Sequence, residues 1–138
     1  MADGARLASA VMFVRDLDRS VRFYSELLGL AVTDRSPTAA LLSSPAGSQL
    51  ILRAMGGHGG HALGSVGVQY VVWTAASRDD LGRCEQVLHR HKAHRDTRVT
   101  DHATAVEGRD PDDIMVLIVY PGPDRIPLHE LPVRIYGW

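Results

Sequence analysis

The sequence contains two successive series of the same five elements, and this repeat restricts the possible folds more than any other feature. The first series begins with an apolar segment, residues 7–14, that is typical of a buried strand. Asp16 then stands where a helix N-cap is expected, and apolar residues recur at helical spacing up to Gly29, whose left-handed conformation would end the helix. Three further strands are predicted at residues 30–33, 39–43 and 50–53.

The second series repeats this order after a glycine-rich loop. Residues 66–74 are predicted to form a strand, Ser77 begins an amphipathic helix, and Asp80 occupies the position of a capping-box acid. The predicted buried face of this helix consists of Leu81, Cys84, Leu88 and His91. The remaining strands are predicted at residues 97–100, 104–107 and 114–120.

Two strand-helix-strand-strand-strand modules of about 50 residues each predict an α+β fold. One helix covers only one face of a four-stranded sheet. Two paired βαβββ modules would form a curved, mostly antiparallel sheet around a cleft, and that cleft is the expected ligand site. Within this single domain, the predicted segments are a first module at about 7–55, a glycine-rich loop at about 55–65, a second module at about 66–120 and a tail at 121–138.

The tail is apolar and rich in proline. Four of its residues are proline, which disfavours a long helix. Its many aliphatic and aromatic side chains predict packing on the body of the protein, across the cleft, or against a second subunit. A homodimer is therefore the expected assembly.

Composition excludes several classes of function. The formal net charge is −1 and no basic stripe is present, so a nucleic-acid partner is not expected. The single cysteine, Cys84, excludes an intramolecular disulfide and a cysteine-rich metal site. No apolar run approaches the roughly 20 residues of a membrane span, so we expect a cytoplasmic protein without a membrane partner.

Two motifs resemble the vicinal oxygen chelate superfamily, which includes glyoxalase I, extradiol dioxygenases, fosfomycin-resistance transferases and bleomycin-binding proteins. DLDRSVRFYSELLGL, residues 16–30, is similar to the first helix of that group. GRDPDD, residues 108–113, resembles its Asp-Pro-Asp-Gly turn, with Asp113 in place of glycine. Aspartate is one of the few residues that tolerate a left-handed turn, so this replacement is mild. The resemblance extends over roughly residues 7–120 and implies the paired-module fold.

The resemblance also implies positions for the metal ligands of the superfamily's enzymes, which use His and Glu. The corresponding positions here are Ser9 in the first strand, Tyr70 at the start of the second module and Leu117 in the last strand. The remaining position falls near residues 50–52, which offer neither an acid nor an imidazole. A catalytic metal of this kind needs about three protein donors, so we expect no metal and no other cofactor at this site.

Histidines elsewhere have simpler interpretations. His58 and His61 form a His-x-x-His pair in the glycine-rich loop, where they are either exposed or part of a lid. At the end of the second helix, cationic side chains complement the negative end of the helix dipole. The histidines in that group are His89, His91 and His94.

His102 and Glu107 flank the strand that precedes the Asp-Pro-Asp turn. Glu107 could accept a hydrogen bond or an ion pair from an amine-bearing ligand, act as a general base, or form a surface ion pair with Arg109 or Arg98. Tyr70 would form a wall of the cleft with a usable hydroxyl group, and it would need a lowered pKa to act as a general acid.

The leading hypothesis is a metal-free protein that sequesters a small organic molecule, similar to the bleomycin-binding branch. The predicted ligand-binding residues are Ser9, Phe13, Tyr70, His102, Glu107 and Leu117. The alternative is a lyase, isomerase or dioxygenase-like enzyme that uses Tyr70, His102 and Glu107 as catalytic groups or has a relocated metal site. A structural or regulatory dimer with a filled cleft is a third possibility.

Overall fold

The computed structural model describes residues 4–55 and 67–122. The chain divides into two compact units, Met1–Gly59 and Gly60–Trp138. Both have the predicted βαβββ order, so the α+β class with two repeated modules is confirmed. The loop that carries His58 and His61 and the tail from residue 123 onward lie outside the described residues.

The first unit is a four-stranded mixed sheet with one helix. Its elements are β1 (Ser9–Val14), α1 (Leu17–Leu28), β2 (Ala31–Arg35), β3 (Ala39–Ser43) and β4 (Gln49–Ala54). The strand order is β1-β4-β3-β2, in which β1 is parallel to β4 and the other two pairings are antiparallel. The parallel pairing of β1 with β4 is possible because α1 and two strands separate them along the chain.

Helix α1 begins and ends where the sequence predicts. The Asp16 carboxylate accepts a hydrogen bond from the Arg19 backbone N–H at 3.1 Å, which satisfies one of the free donors of the first turn. Gly29 closes the helix with φ 65°, a left-handed conformation that costs glycine little. Phe23 is buried in this helix and meets the Tyr24 ring edge to face, with 5.2 Å between the ring centroids.

The second unit repeats this arrangement with its own sheet and helix. Its elements are β5 (Val71–Thr74), α2 (Arg78–Arg90), β6 (His94–Val99), β7 (Thr104–Arg109) and β8 (Met115–Tyr120). The strand order is β5-β8-β7-β6, again with one parallel pairing, β5 with β8. Two of the three pairings in each sheet are antiparallel, as predicted.

The start of the second module differs from its prediction, because the strand expected at 66–74 is shorter. Residue 66 lies outside the described residues, Gly67 has φ 135°, and Val68 is 82% exposed. Regular strand pairing begins only at Val71. A glycine with positive φ interrupts an extended run, which explains why apolar composition alone overestimated this strand. Tyr70 therefore lies immediately before β5.

Helix α2 has the predicted cap and a slightly different buried face. The Ser77 hydroxyl accepts from the Asp80 N–H at 3.0 Å, while the Asp80 carboxylate accepts from the Ala76 N–H at 3.1 Å, one residue before the cap. Val87 is buried together with the predicted Leu81, Cys84 and Leu88. The prediction that His91 is buried was wrong: the helix ends at Arg90, and His91 is an exposed C-cap.

The turn that joins β7 to β8 has the conformation that its sequence predicts. Asp110 is buried, and its carboxylate accepts from the backbone N–H groups of Asp112 and Ile114, both at 2.8 Å. Asp113 has φ 66°, so it adopts the left-handed conformation expected of the residue that replaces glycine. No helix within residues 4–55 and 67–122 is long and apolar enough to cross a membrane.

Candidate functional site

The two faces of the second sheet are distinguished by their contacts. Gly108 faces α2, because a Cβ added to it would lie 2.6 Å from the Leu88 side chain. Its strand partner Val116 shares that face, and alternate residues of β8 therefore lie on the other side. We call this second side the far face. Its described residues include Tyr70, Val72, Ala105, Glu107, Met115, Leu117 and Val119, and strand pairing adds the charged residues Asp96, Arg98 and Arg109.

The far face has an apolar floor. Met115, Leu117 and Val119 are buried, with exposures of 2%, 1% and 0%. Tyr70, Val72 and Ala105 are partly buried and pack against them. The floor itself is covered, so the apolar side chains that a ligand could contact on this face are the partly exposed Tyr70, Val72 and Ala105 around it. Partly exposed apolar side chains of this kind are typical of sites for small organic ligands.

Glu107 lies next to this floor. It is the Cα partner of Leu117 across β7 and β8, so its side chain leaves the sheet on the same side. The structure thus brings together three of the predicted site residues, Tyr70, Glu107 and Leu117. Glu107 is partly buried, which places a carboxylate beside apolar atoms.

The environment of Tyr70 makes ionisation of its phenol harder. Burial raises the pKa of Tyr70 above its ordinary value, and the nearby negative charge of Glu107 raises it further. At neutral pH Tyr70 is therefore a neutral group whose O–H can donate a hydrogen bond. A raised pKa is the opposite of what a general acid at this position would require.

The ion pairs considered for Glu107 are not formed with the described residues. Arg98 pairs with Asp96, with 3.8 Å between Nη2 and Oδ2. Arg109 donates from Nη1 to the backbone oxygen of Asp113 at 3.4 Å. Within residues 4–55 and 67–122, the Glu107 carboxylate has no basic partner within ion-pair distance.

His102 is placed away from this group. It lies in the exposed turn between β6 and β7, where its backbone N–H donates to the Thr100 hydroxyl at 3.3 Å. β7 begins at Thr104, two residues after His102, whereas Glu107 lies within the strand, opposite Leu117. A direct partnership of His102 with Glu107 therefore has no support in the second unit.

Ser9 and Phe13 belong to the first unit. They lie in β1 opposite Gln49 and Arg53 of β4. Phe13 is 60% exposed, as is Val11 beside it. By strand alternation, these residues occupy the face of the first sheet opposite to that of the fully buried Leu50 and Leu52.

The residues at the metal-ligand positions do not fit a divalent metal ion. Leu117 is buried among apolar side chains, and Leu50 and Leu52 are fully buried and have no donor atoms. Tyr70 remains protonated, and a neutral phenol is a poor ligand. In the part of the chain that the structure describes, no group of three His, Cys, Asp or Glu side chains is arranged to hold a metal ion.

The remaining titratable groups of the second unit have structural contacts. The rings of His89 and His94 stack with their centroids 4.2 Å apart, and His94 Nε2 lies 2.7 Å from the Thr97 hydroxyl, which hydrogen bonds to Glu85. Cys84 is buried, and burial is the main cause that raises its pKa to about 11. A thiol in this environment is not a nucleophile at neutral pH.

Sequence reasoning missed part of this surface. Asp96 is the Cα partner of Glu107, which places two acids opposite each other on neighbouring strands. The predicted strand at 97–100 began too late to include it, because a bulge between His94 and Asp96 breaks the alternation. The strand predicted at 104–107 also ended too early. β7 continues to Arg109, and its pairing with β8 places Glu107 opposite Leu117.

Comparisons with known proteins agree with this architecture. Residues 6–118 match the family model of the Glyoxalase/Bleomycin resistance protein/Dioxygenase superfamily. No curated protein has a significant sequence match to the chain.

Several solved structures share the fold. The glyoxylase/bleomycin resistance protein/dioxygenase domain from Frankia sp. EAN1pec has a TM-score of 0.73 and 25% identity, over 85% of this chain and 98% of that one. A glyoxalase/dioxygenase from Nostoc punctiforme has a TM-score of 0.70 and 19% identity, over 83% and 89%. The fosfomycin resistance protein FosX from Mesorhizobium loti has a TM-score of 0.65 and 14% identity, over 90% and 97%.

Proposed function

Because this chain belongs to the Glyoxalase/Bleomycin resistance protein/Dioxygenase superfamily, we propose that it binds a small organic molecule without a metal ion, on the far face of the second sheet. The observation that carries the proposal is the replacement of a metal ligand by Leu117 within an apolar floor. The same face has a protonated phenol and a carboxylate at its margin. An apolar surface with a few convergent polar groups is typical of binding sites for small molecules.

The alternative of an acid–base enzyme has less support. Its three proposed groups were Tyr70, His102 and Glu107. The raised pKa of Tyr70 weakens its role as an acid, and His102 lies in a turn far along the strand from Glu107. Binding of a neutral molecule needs only the partly exposed apolar side chains of the far face and the Tyr70 hydroxyl beside them, so it requires fewer assumptions about this surface.

Metal content tests the metal-free part of the proposal. Tag-free protein is incubated separately with Zn²⁺, Mn²⁺, Ni²⁺ and Fe²⁺, dialysed, and measured by elemental mass spectrometry. We expect far less than one equivalent of any metal per chain. About one equivalent that disappears in Glu107→Gln and persists in Glu85→Gln would reveal a metal site at the far face and overturn the proposal.

Binding itself is tested with 2-phenylethanol, a neutral aromatic probe, by ligand-observed NMR titration. We expect weak, saturable binding that Tyr70→Ala reduces several-fold, because the aromatic wall of the far face is lost. Tyr120→Ala is the matched control, since Tyr120 lies on the other side of the same sheet, beneath Arg78. Circular dichroism verifies that both variants are folded. Equal losses in the two variants, or no saturable binding, would refute a binding site on the far face.

A further inference from the structure

We propose that the ligand of the far face is an organic cation, an amine whose ammonium group is held by Glu107 while its apolar part rests on the partly exposed Tyr70, Val72 and Ala105. This inference rests on the proposed function and specifies the chemical class of the ligand. The argument depends on the position of one carboxylate relative to its neighbours in the sheet.

The first step concerns the surroundings of Glu107. Its cross-strand partner Leu117 is 1% exposed, and Ala105, two residues earlier on the same face of β7, packs against the apolar floor. A carboxylate partly withdrawn from water beside apolar atoms is stabilised by a counter-charge. None of the basic side chains within residues 4–55 and 67–122 supplies one.

The second step is the charge balance of the strands next to it. Asp96 lies directly opposite Glu107, and two like charges in that position destabilise a sheet. Arg98 pairs with Asp96 at 3.8 Å and so compensates one of the two acids. Arg109 also lies on this face, two residues after Glu107, but it donates to the Asp113 backbone oxygen and forms no ion pair with Glu107. The Glu107 carboxylate is therefore the negative charge that no described side chain compensates by an ion pair. A monovalent cation complements that charge, whereas a phosphate or carboxylate ligand would be repelled.

The third step is the geometry around Tyr70. Its side chain packs against the same apolar floor, and the negative charge of Glu107 is close enough to raise the pKa of the phenol. The protonated hydroxyl can accept a hydrogen bond from an ammonium group, and the ring face attracts a cation. Aromatic and apolar contacts with a single acid at the margin therefore match an arylalkyl amine better than a neutral alcohol.

Three probes of similar shape isolate the charge of the ligand: phenethylamine, 2-phenylethanol and 3-phenylpropionate. They are compared by ligand-observed NMR titration at pH 7 and low ionic strength, where the amine is cationic and the acid anionic. We expect phenethylamine to bind at least tenfold more tightly than 2-phenylethanol, and 3-phenylpropionate to bind most weakly. The preference for the amine should decrease in high salt, because a partly exposed ion pair is screened.

Variants then assign the preference to one side chain. Glu107→Gln should weaken phenethylamine binding at least tenfold and leave 2-phenylethanol binding unchanged. Glu85→Gln is the matched control, since Glu85 lies on α2 and contacts Thr97. It should leave binding of both probes unchanged.

The outcomes separate this inference from the proposed function. Equal binding of amine and alcohol, or an amine preference that survives Glu107→Gln, would overturn the cationic ligand while the binding function stands. Failure of all three probes to bind would overturn both. A loss of amine binding in Glu107→Gln alone, with the alcohol unaffected, supports both.

Discussion

The two central strands β4 and β8 occupy the same place in their sheets but are buried differently. In β4, Leu50 and Leu52 are fully buried, whereas the residues between and around them are partly or fully exposed. In β8, five consecutive residues from Met115 to Val119 are buried. A strand in which buried and exposed residues alternate has one buried face, whereas a strand that is apolar throughout has two. The second unit therefore has an additional apolar surface on its far face.

The positions across from these strands differ in polarity as well. When the central strands β4 and β8 are each counted from their first residue, Leu117 corresponds to Ile51, and their cross-strand partners are Glu107 and Leu41. The module fold accepts a leucine or an acid at this position, so the fold does not dictate Glu107. The acid distinguishes the second unit from the first, which is why we assign ligand recognition to it.

The largest expected effect tests the difference in burial. Leu117→Ala should lower the free energy of unfolding by about 3 kcal/mol, because a fully buried side chain is lost and a cavity remains. The corresponding Ile51→Ala should cost only about 1 kcal/mol, since Ile51 is already partly exposed. Urea denaturation followed by circular dichroism measures both. Equal costs would contradict the contrast between the two sheets.

A smaller effect is expected at Gly108, whose counterpart in the first unit is the buried Leu42. In Gly108→Ala the new Cβ would lie 2.9 Å from the Ala93 backbone oxygen as well as against Leu88, so the packing of α2 must shift. We expect a loss of about 1–3 kcal/mol. Gly82→Ala, in α2 with open space around it, should instead stabilise by about 0.5–1 kcal/mol. If Gly108→Ala left the free energy of unfolding unchanged, the second helix would be less closely packed against β7 than described.

The smallest effect concerns the titration of Tyr70. Because its folded pKa is raised, its stabilising contribution is complete below about pH 10, the ordinary value, and is lost as pH rises through the folded pKa. Glu107→Gln should lower that pKa part of the way, since burial, the larger cause, remains. The absorbance of tyrosinate, measured as the difference between the wild type and Tyr70→Phe, reports the midpoint. A midpoint that Glu107→Gln leaves unchanged would refute the proximity of Tyr70 to Glu107, and a wild-type midpoint at or below pH 10 would refute the burial of the phenol.

Much of the fold was predictable because its signals are local. Asp16, Gly29 and Ser77 mark helix ends through hydrogen bonds and backbone angles within a few residues. Asp113 takes a left-handed angle that its neighbours in the turn require. Two predictions were wrong. The strand expected from residue 66 begins only at Val71, where pairing with a neighbouring strand starts, and His91 caps the end of α2 instead of lying on its buried face.

The candidate site was predictable only in part, because it depends on register. Alternation along one strand indicates which residues share a face, and the resemblance to a known superfamily identified Tyr70 and Leu117 as positions of interest. The alignment of Glu107 with Leu117 and with Asp96 depends on pairing between strands that are distant in sequence. His102, only five residues from Glu107, lies instead in an exposed turn.

The resemblance to a known superfamily predicted that Ser9, Tyr70 and Leu117 stand at metal-ligand positions. The sequence by itself determined the repeated module order, the starts of both helices and the end of α1. These features follow from residue type and short-range spacing, which are complete in the chain before it folds. Only the tertiary structure decided that Tyr70 and Glu107 share an apolar face and that the pKa of the phenol is raised there. Burial and the distance between charges are set by packing across strands, and no single segment of the sequence contains that information.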